Sequence, residues 1–169
     1  MKNYLKKMRG GAALPQRPAI GYVFWSWCGG VFAIGLVAYI AVATGQPILM
    51  APLGASAVLA FGVPDSPLAQ PRNIIGGHVL TATIGVLFLN LFGAEWWSMG
   101  LAVATAIAAM QITRTVHPPA GANPLVVMLV GASWGYVLTP VLAGSLILTS
   151  CAVIFNNLSA TRRYPLYWS

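Results

Sequence analysis

The residues best able to do chemistry in this chain lie in two short stretches of one pattern. Pro52-Leu53-Gly54-Ala55-Ser56 and Pro119-Ala120-Gly121-Ala122-Asn123 each run proline, any residue, glycine, alanine and a small polar residue, 67 positions apart. Proline suits the first turn of a helix, where backbone N–H groups have no intrahelical acceptor. The glycines let another group approach the backbone closely. A helix that starts inside a membrane exposes those N–H groups there, and with the helix dipole they favour an anion. Two such starts meeting from opposite sides would make a positive cradle without a buried lysine or arginine. Pro52, Gly54, Ala55, Ser56, Pro119, Gly121, Ala122 and Asn123 are therefore the candidate substrate-binding residues. The competing reading is that these prolines and glycines only kink and pack helices.

A second group of residues suits gating or proton movement. His117 precedes Pro118-Pro119 directly, and His78 follows Gly76-Gly77. A histidine there can donate to an anion or take up a proton; it can also simply fix the end of a segment. Asp65 and Arg72 flank a stiff, proline-rich loop and are expected to pair, pinning the second apolar segment to the third. Arg114 either draws anions to a mouth or anchors a helix end at the interface. Gln111, one turn earlier, faces a similar direction.

The sequence contains no paired-carboxylate arrangement, nucleotide loop or metal-ligand spacing. Enzyme activity, a cofactor and a metal are not expected. Cys28 and Cys151 both fall inside apolar runs and read as free buried thiols.

The elements that must position these residues are membrane helices. Of 169 residues, 58% are hydrophobic and only 7% charged, against about 25% charged in soluble domains. The apolar residues come in long runs and not in alternation, which argues against a transmembrane β-barrel. The fold class is thus all-α, a polytopic membrane protein. Six segments can be drawn, near 21–43, 47–62, 75–93, 96–113, 119–133 and 136–157. The first, fourth and sixth are long enough to cross, whereas the second and fifth are short and proline-led, either short crossings or re-entrant. A basic segment, 1–20, precedes the transmembrane domain, 21–157, and a tail, 158–169, follows it. Five of nine basic residues lie in the first 17. Six crossings with both ends cytoplasmic place Arg72, Arg114, Arg162 and Arg163 inside and Glu95 outside, as the positive-inside rule requires. The basic ends suit anionic lipid and not nucleic acid.

Gly77 and Gly144 share the 67-residue offset of the paired motifs. The chain therefore reads as two three-helix halves, about 21–93 and 96–157, forming an inverted repeat with short broken helices of the kind secondary transporters use. Six short helices are a small body to surround a path, so a homo-oligomer packed through glycine-rich faces is expected.

His117-Pro118-Pro119-Ala120-Gly121-Ala122-Asn123-Pro124, Pro52 through Leu59, and Phe61 through Asn73 running into Gly76-Gly77-His78 resemble the HPP family of integral membrane proteins. The resemblance covers about 18–160. It implies a bacterial inner-membrane protein. Because cyanobacterial and plastid members are associated with nitrite transport, it also implies passage of a small monovalent anion, nitrite first. Some related proteins carry a C-terminal CBS domain, and this sequence is expected to work without that module. A neutral-solute transporter or channel, and a noncatalytic membrane scaffold or sensor, are the alternatives.

Overall fold

The computed structural model describes residues 2–168. A short helix α1 (Lys2–Lys7) precedes six apolar helices: α2 (Ile20–Thr44), α3 (Ala51–Gly62), α4 (Arg72–Phe92), α5 (Trp96–Ile112), α6 (Pro118–Val130) and α7 (Val137–Asn157). The protein is an all-helical, polytopic membrane protein. Three helices, α2, α4 and α7, are long and apolar enough to cross a bilayer. This corrects the expectation for the long segments. The third is long because it begins at Arg72, directly after Pro71, in a turn of π-helix that runs unbroken into Gly77. The fourth closes after 17 residues.

Local chemistry sets the ends. Gly45 and Gly131 adopt left-handed conformations that close α2 and α6. Arg114, a non-glycine residue at φ 57°, does the same for α5, with Thr115 N–H bonded to Met110 O at 2.9 Å. At the start of α5, Glu95 N–H donates to Ser98 Oγ at 3.1 Å. Both α3 and α6 begin with a tight turn over their prolines. Leu53 N–H reaches Met50 O at 3.0 Å, and Ala120 N–H reaches His117 O at 2.9 Å.

Helix packing depends on missing side chains. A Cβ on Gly77 would stand 2.9 Å from Thr115 O and 3.5 Å from Ala120 Cβ. One on Gly144 would stand 2.9 Å from Ile48 O and 2.6 Å from Leu53 Cδ1. The first pair packs α4 against the start of α6, and the second packs α7 against the start of α3. Gly85 likewise lets α4 approach Pro124 of α6, where a Cβ would be 2.7 Å from Pro124 Cα. The core between them is aliphatic: Leu53, Ala57, Ala82, Val86, Val127 and Leu148 are buried. The large apolar residues Val23, Phe24, Val31, Tyr39 and Val42 of α2 are exposed, a face suited to hydrocarbon and costly in water.

The connections gather at two ends of the bundle. At one end the α3–α4 loop, the α5–α6 link and the C-terminal tail touch. Arg72 Nη2 donates to Thr113 O at 3.0 Å, Asn73 Nδ2 to Val116 O at 2.9 Å, and Tyr164 Oη to Ala69 O at 2.7 Å. Arg72 thus turns to a backbone carbonyl and not to the expected partner Asp65, because its loop is folded against the α5–α6 link. The tail is fastened by Arg162, which donates to Phe61 O, Asn156 Oδ1, Tyr22 O and Ser26 Oγ and lies 4.0 Å over the Tyr22 ring. Tyr136 Oη lies 3.9 Å from Met50 Sδ, joining the α6–α7 and α2–α3 connections.

Candidate functional site

Ser56, in the second turn of α3, is the meeting point. Its Oγ lies 2.7 Å from His78 Nε2 and 2.8 Å from His117 Nε2. His78 sits one residue after Gly77, and His117 is the last residue before α6. Gly77 is what lets α4 lie against His117, whose Cβ would be 2.9 Å from an added methyl. The two rings stand edge to face with centroids 5.1 Å apart.

Each ring is held from its far side. His117 Nδ1 lies 2.8 Å from Leu68 O, and a carbonyl only accepts, so Nδ1 carries the proton. His78 Nδ1 lies 3.0 Å from Asn123 Nδ2. Asn123 Nδ2 also lies 3.0 Å from His78 O and 3.0 Å from Thr81 Oγ1, so the amide's two hydrogens are shared among these acceptors and the ring nitrogen. The His78 carbonyl fixes which amide atom is nitrogen. Asn123 Oδ1 then points elsewhere, buried and without a partner. Ser56, His78, Thr81, His117 and Asn123 are all 0% exposed. Unpaired polar atoms in such surroundings cost about 1–3 kcal/mol, and intramembrane ionisable residues usually mark a pathway.

Four of the sequence candidates therefore form one cluster, which joins Ser56 and Asn123 to the two histidines. The other six motif residues stand outside it. Gly54 and Ala55 are exposed, and Gly54 lines a groove shared with Gly30 and Ser26 of α2. Pro52 is buried, Pro119 and Gly121 half-buried and Ala122 exposed. Gly121 lines a groove of about 390 Å³ with Pro118, Met110 and Gln111. Asp65 and Arg114 are exposed, and Arg72 is committed to Thr113 O. Sequence reasoning passed over Thr81, although it lies one helical turn beyond His78. It also passed over the Leu68 carbonyl, which no side-chain motif can announce. Among the described residues, no group of three or more His, Cys, Asp or Glu could hold a metal ion.

The geometry is built almost wholly from the segments that carried the resemblance. A family model described as HPP, transmembrane region, matches residues 15–165. The chain belongs to the HPP family. Two transmembrane proteins of Dictyostelium discoideum are each 38% identical to this HPP protein. The matches cover 98% of this chain but 57% and 63% of those proteins, so the chain spans about three-fifths of their length. No solved structure matches it significantly.

Proposed function

We propose that this HPP protein passes a small monovalent inorganic anion, nitrite first, across a bacterial inner membrane. The path runs past the Ser56–His78–His117–Asn123 cluster, which closes it in the state described. The observation that carries the reading is that cluster: four fully buried polar side chains joined across three helices of an apolar bundle. A structural role alone could be filled more cheaply by apolar residues.

The reading includes two inverted halves, α2–α4 and α5–α7. Support comes from contacts exchanged at the 67-residue offset. Gly77 meets Thr115 and Ala120, while Gly144 meets Ile48 and Leu53, the residues at matching positions. The turns Met50–Leu53 and His117–Ala120 match in the same way. Six crossings agree with the contacts among the α3–α4 loop, the α5–α6 link and the tail, which would share the cytoplasmic face. In this arrangement α3 and α6 enter from opposite faces and rocking of one half on the other gives alternating access. A homo-oligomer would cover part of the exposed apolar surface.

The unpartnered Asn123 Oδ1 favours a second reading, a neutral solute that donates a hydrogen bond, because the cluster's partners include no cationic side chain.

Uptake by purified protein in sealed liposomes separates these readings. Nitrite, nitrate, formate, chloride and urea are compared at a pH that suppresses passive nitrous acid entry, with empty liposomes as control. Saturable nitrite uptake, lost in the Ser56→Ala/Asn123→Ala double variant, is expected. Urea uptake alone selects the neutral solute. No flux from folded, inserted protein leaves the scaffold or sensor.

A further inference from the structure

The hydrogen bonds of the cluster have a direction. His117 Nδ1–H is committed to Leu68 O at 2.8 Å, so in the neutral ring Nε2 holds a lone pair. Ser56 Oγ, 2.8 Å away, must point its proton there. The other acceptor near that hydroxyl, Pro52 O at 3.1 Å, is then left to its own helix. With its proton spent, Ser56 can only accept from His78 Nε2 at 2.7 Å. His78 Nε2 therefore carries a proton, and its Nδ1 accepts from Asn123 Nδ2. The result is a single unbroken line of donors, Asn123 to His78 to Ser56 to His117 to the Leu68 carbonyl. The two imidazoles hold opposite tautomers.

We propose that this line is a proton relay, and that a proton is the species moved together with the anion. The inference deepens the transport reading of the same site and rests on it for the anion. One added proton, supplied by water or by the acid form of the anion, binds the lone pair of His78 Nδ1. The Nε2 proton of His78 passes to Ser56 Oγ as the hydroxyl proton of Ser56 passes to His117 Nε2. His117 then holds two protons and the positive charge, while His78 is neutral again with Nδ1–H. Water at the Leu68 end takes one proton from His117 and completes the transfer. No bond between heavy atoms changes.

This second state is opposed by Asn123. Once His78 carries Nδ1–H, it faces the Asn123 Nδ2 donor. The amide is held from turning over by the His78 carbonyl, which accepts from Nδ2 at 3.0 Å, so the reversed state sets two donors against each other and is the less stable one. Asn123 thus sets the direction of the line.

The surrounding elements bring little charge to disturb the transfer. The titratable group facing each ring is the other ring. Helices α3 and α6 contain no charged residue, and α4 beyond Arg72 contains only His78. The two adjoining links contribute Asp65 and Arg114, both exposed, and Arg72 at the head of α4 is bonded to Thr113 O. From the tail, Arg162 is engaged with α2, α3 and α7, and Tyr164 with Ala69.

Two measurements test the proposal. The chain has two histidines, so solid-state NMR of protein with 15N-labelled histidine in lipid at alkaline pH should show one ring protonated at Nδ1 and one at Nε2. Two identical tautomers would overturn the line on unmodified protein, whatever the variants do. The second measurement uses liposomes holding a pH dye, with a nitrite gradient at alkaline pH and empty liposomes as leak control. Protein-dependent nitrite entry with lumenal acidification is expected. Ser56→Ala should reduce the acidification by about 10²-fold, the contribution of a positioned proton-transfer group, and Ser56→Thr should restore it. Nitrite entry without proton movement overturns the relay and leaves the transport reading standing. Proton movement under an imposed voltage without nitrite entry retains the relay and removes the anion. Acidification unchanged in Ser56→Ala, or neither flux, overturns the relay.

Discussion

Gly77→Ala is the sharpest test of how the two histidines come to share Ser56. The added carbon would lie 2.9 Å from Thr115 O, 2.9 Å from His117 Cβ and 3.5 Å from Ala120 Cβ. Neither of the two close neighbours is the far end of a flexible side chain, so relief requires α4 and the start of α6 to move apart. Overpacking of this kind costs about 1–3 kcal/mol. Alanine in a helix recovers about 1 kcal/mol relative to glycine. With backbone as the obstacle the cost falls in the upper part of its range, leaving a net loss of about 1–2 kcal/mol. That corresponds to a midpoint lower by about 2–8 °C for a chain of this size. Gly54→Ala is the control, because no atom lies within 4 Å of a Cβ there, and it should melt at or above the parent. The assay is thermal unfolding of purified protein in detergent, followed by helical circular dichroism. Separation of α4 from the start of α6 also parts His78 from His117, so the two rings no longer share Ser56 and anion flux should fall even below the melting range. A Gly77→Ala protein that melts no lower than the parent with full flux would refute the close approach as the device that assembles the site.

Other outcomes follow from the tail. Arg162→Ala removes four donated hydrogen bonds and the stack on Tyr22. It should lower stability by about 3 kcal/mol or more, given buried acceptors left behind, and Arg162→Lys should recover only part; equal melting of the Ala variant and parent in detergent would exclude the clamp. Burial pushes the Tyr164 phenol above its ordinary value, and it donates to Ala69 O. A raised folded value means this stabilisation is complete below the unfolded phenol range, near pH 10, and is lost as pH rises through the folded value. Alkaline melting curves of the parent should fall above about pH 10, and Tyr164→Phe should flatten that fall.

The sequence by itself determined the membrane class, the number of apolar helices and the family, and it placed the four cluster residues within a longer set of fourteen candidates. Those follow from local facts: long uncharged runs, prolines suited to the first turn of a helix, and a motif repeated at one offset. The helix lengths were less legible, because Arg72 and Pro71 read as loop until the π turn joins them to α4. Only the tertiary structure decided which polar residues meet. Ser56 and Asn123 face inward while Gly54, Ala55 and Ala122 of the same motifs face outward, since a helix turns about 100° per residue and packing chooses the inward face. Arg72 found Thr113 and not Asp65 because the α3–α4 loop lies against the α5–α6 link, a contact 41 residues apart in sequence. The Leu68 carbonyl and the Tyr164 clasp were invisible for the same reason. A backbone acceptor has no residue type, and its role exists only where the fold brings a donor to it.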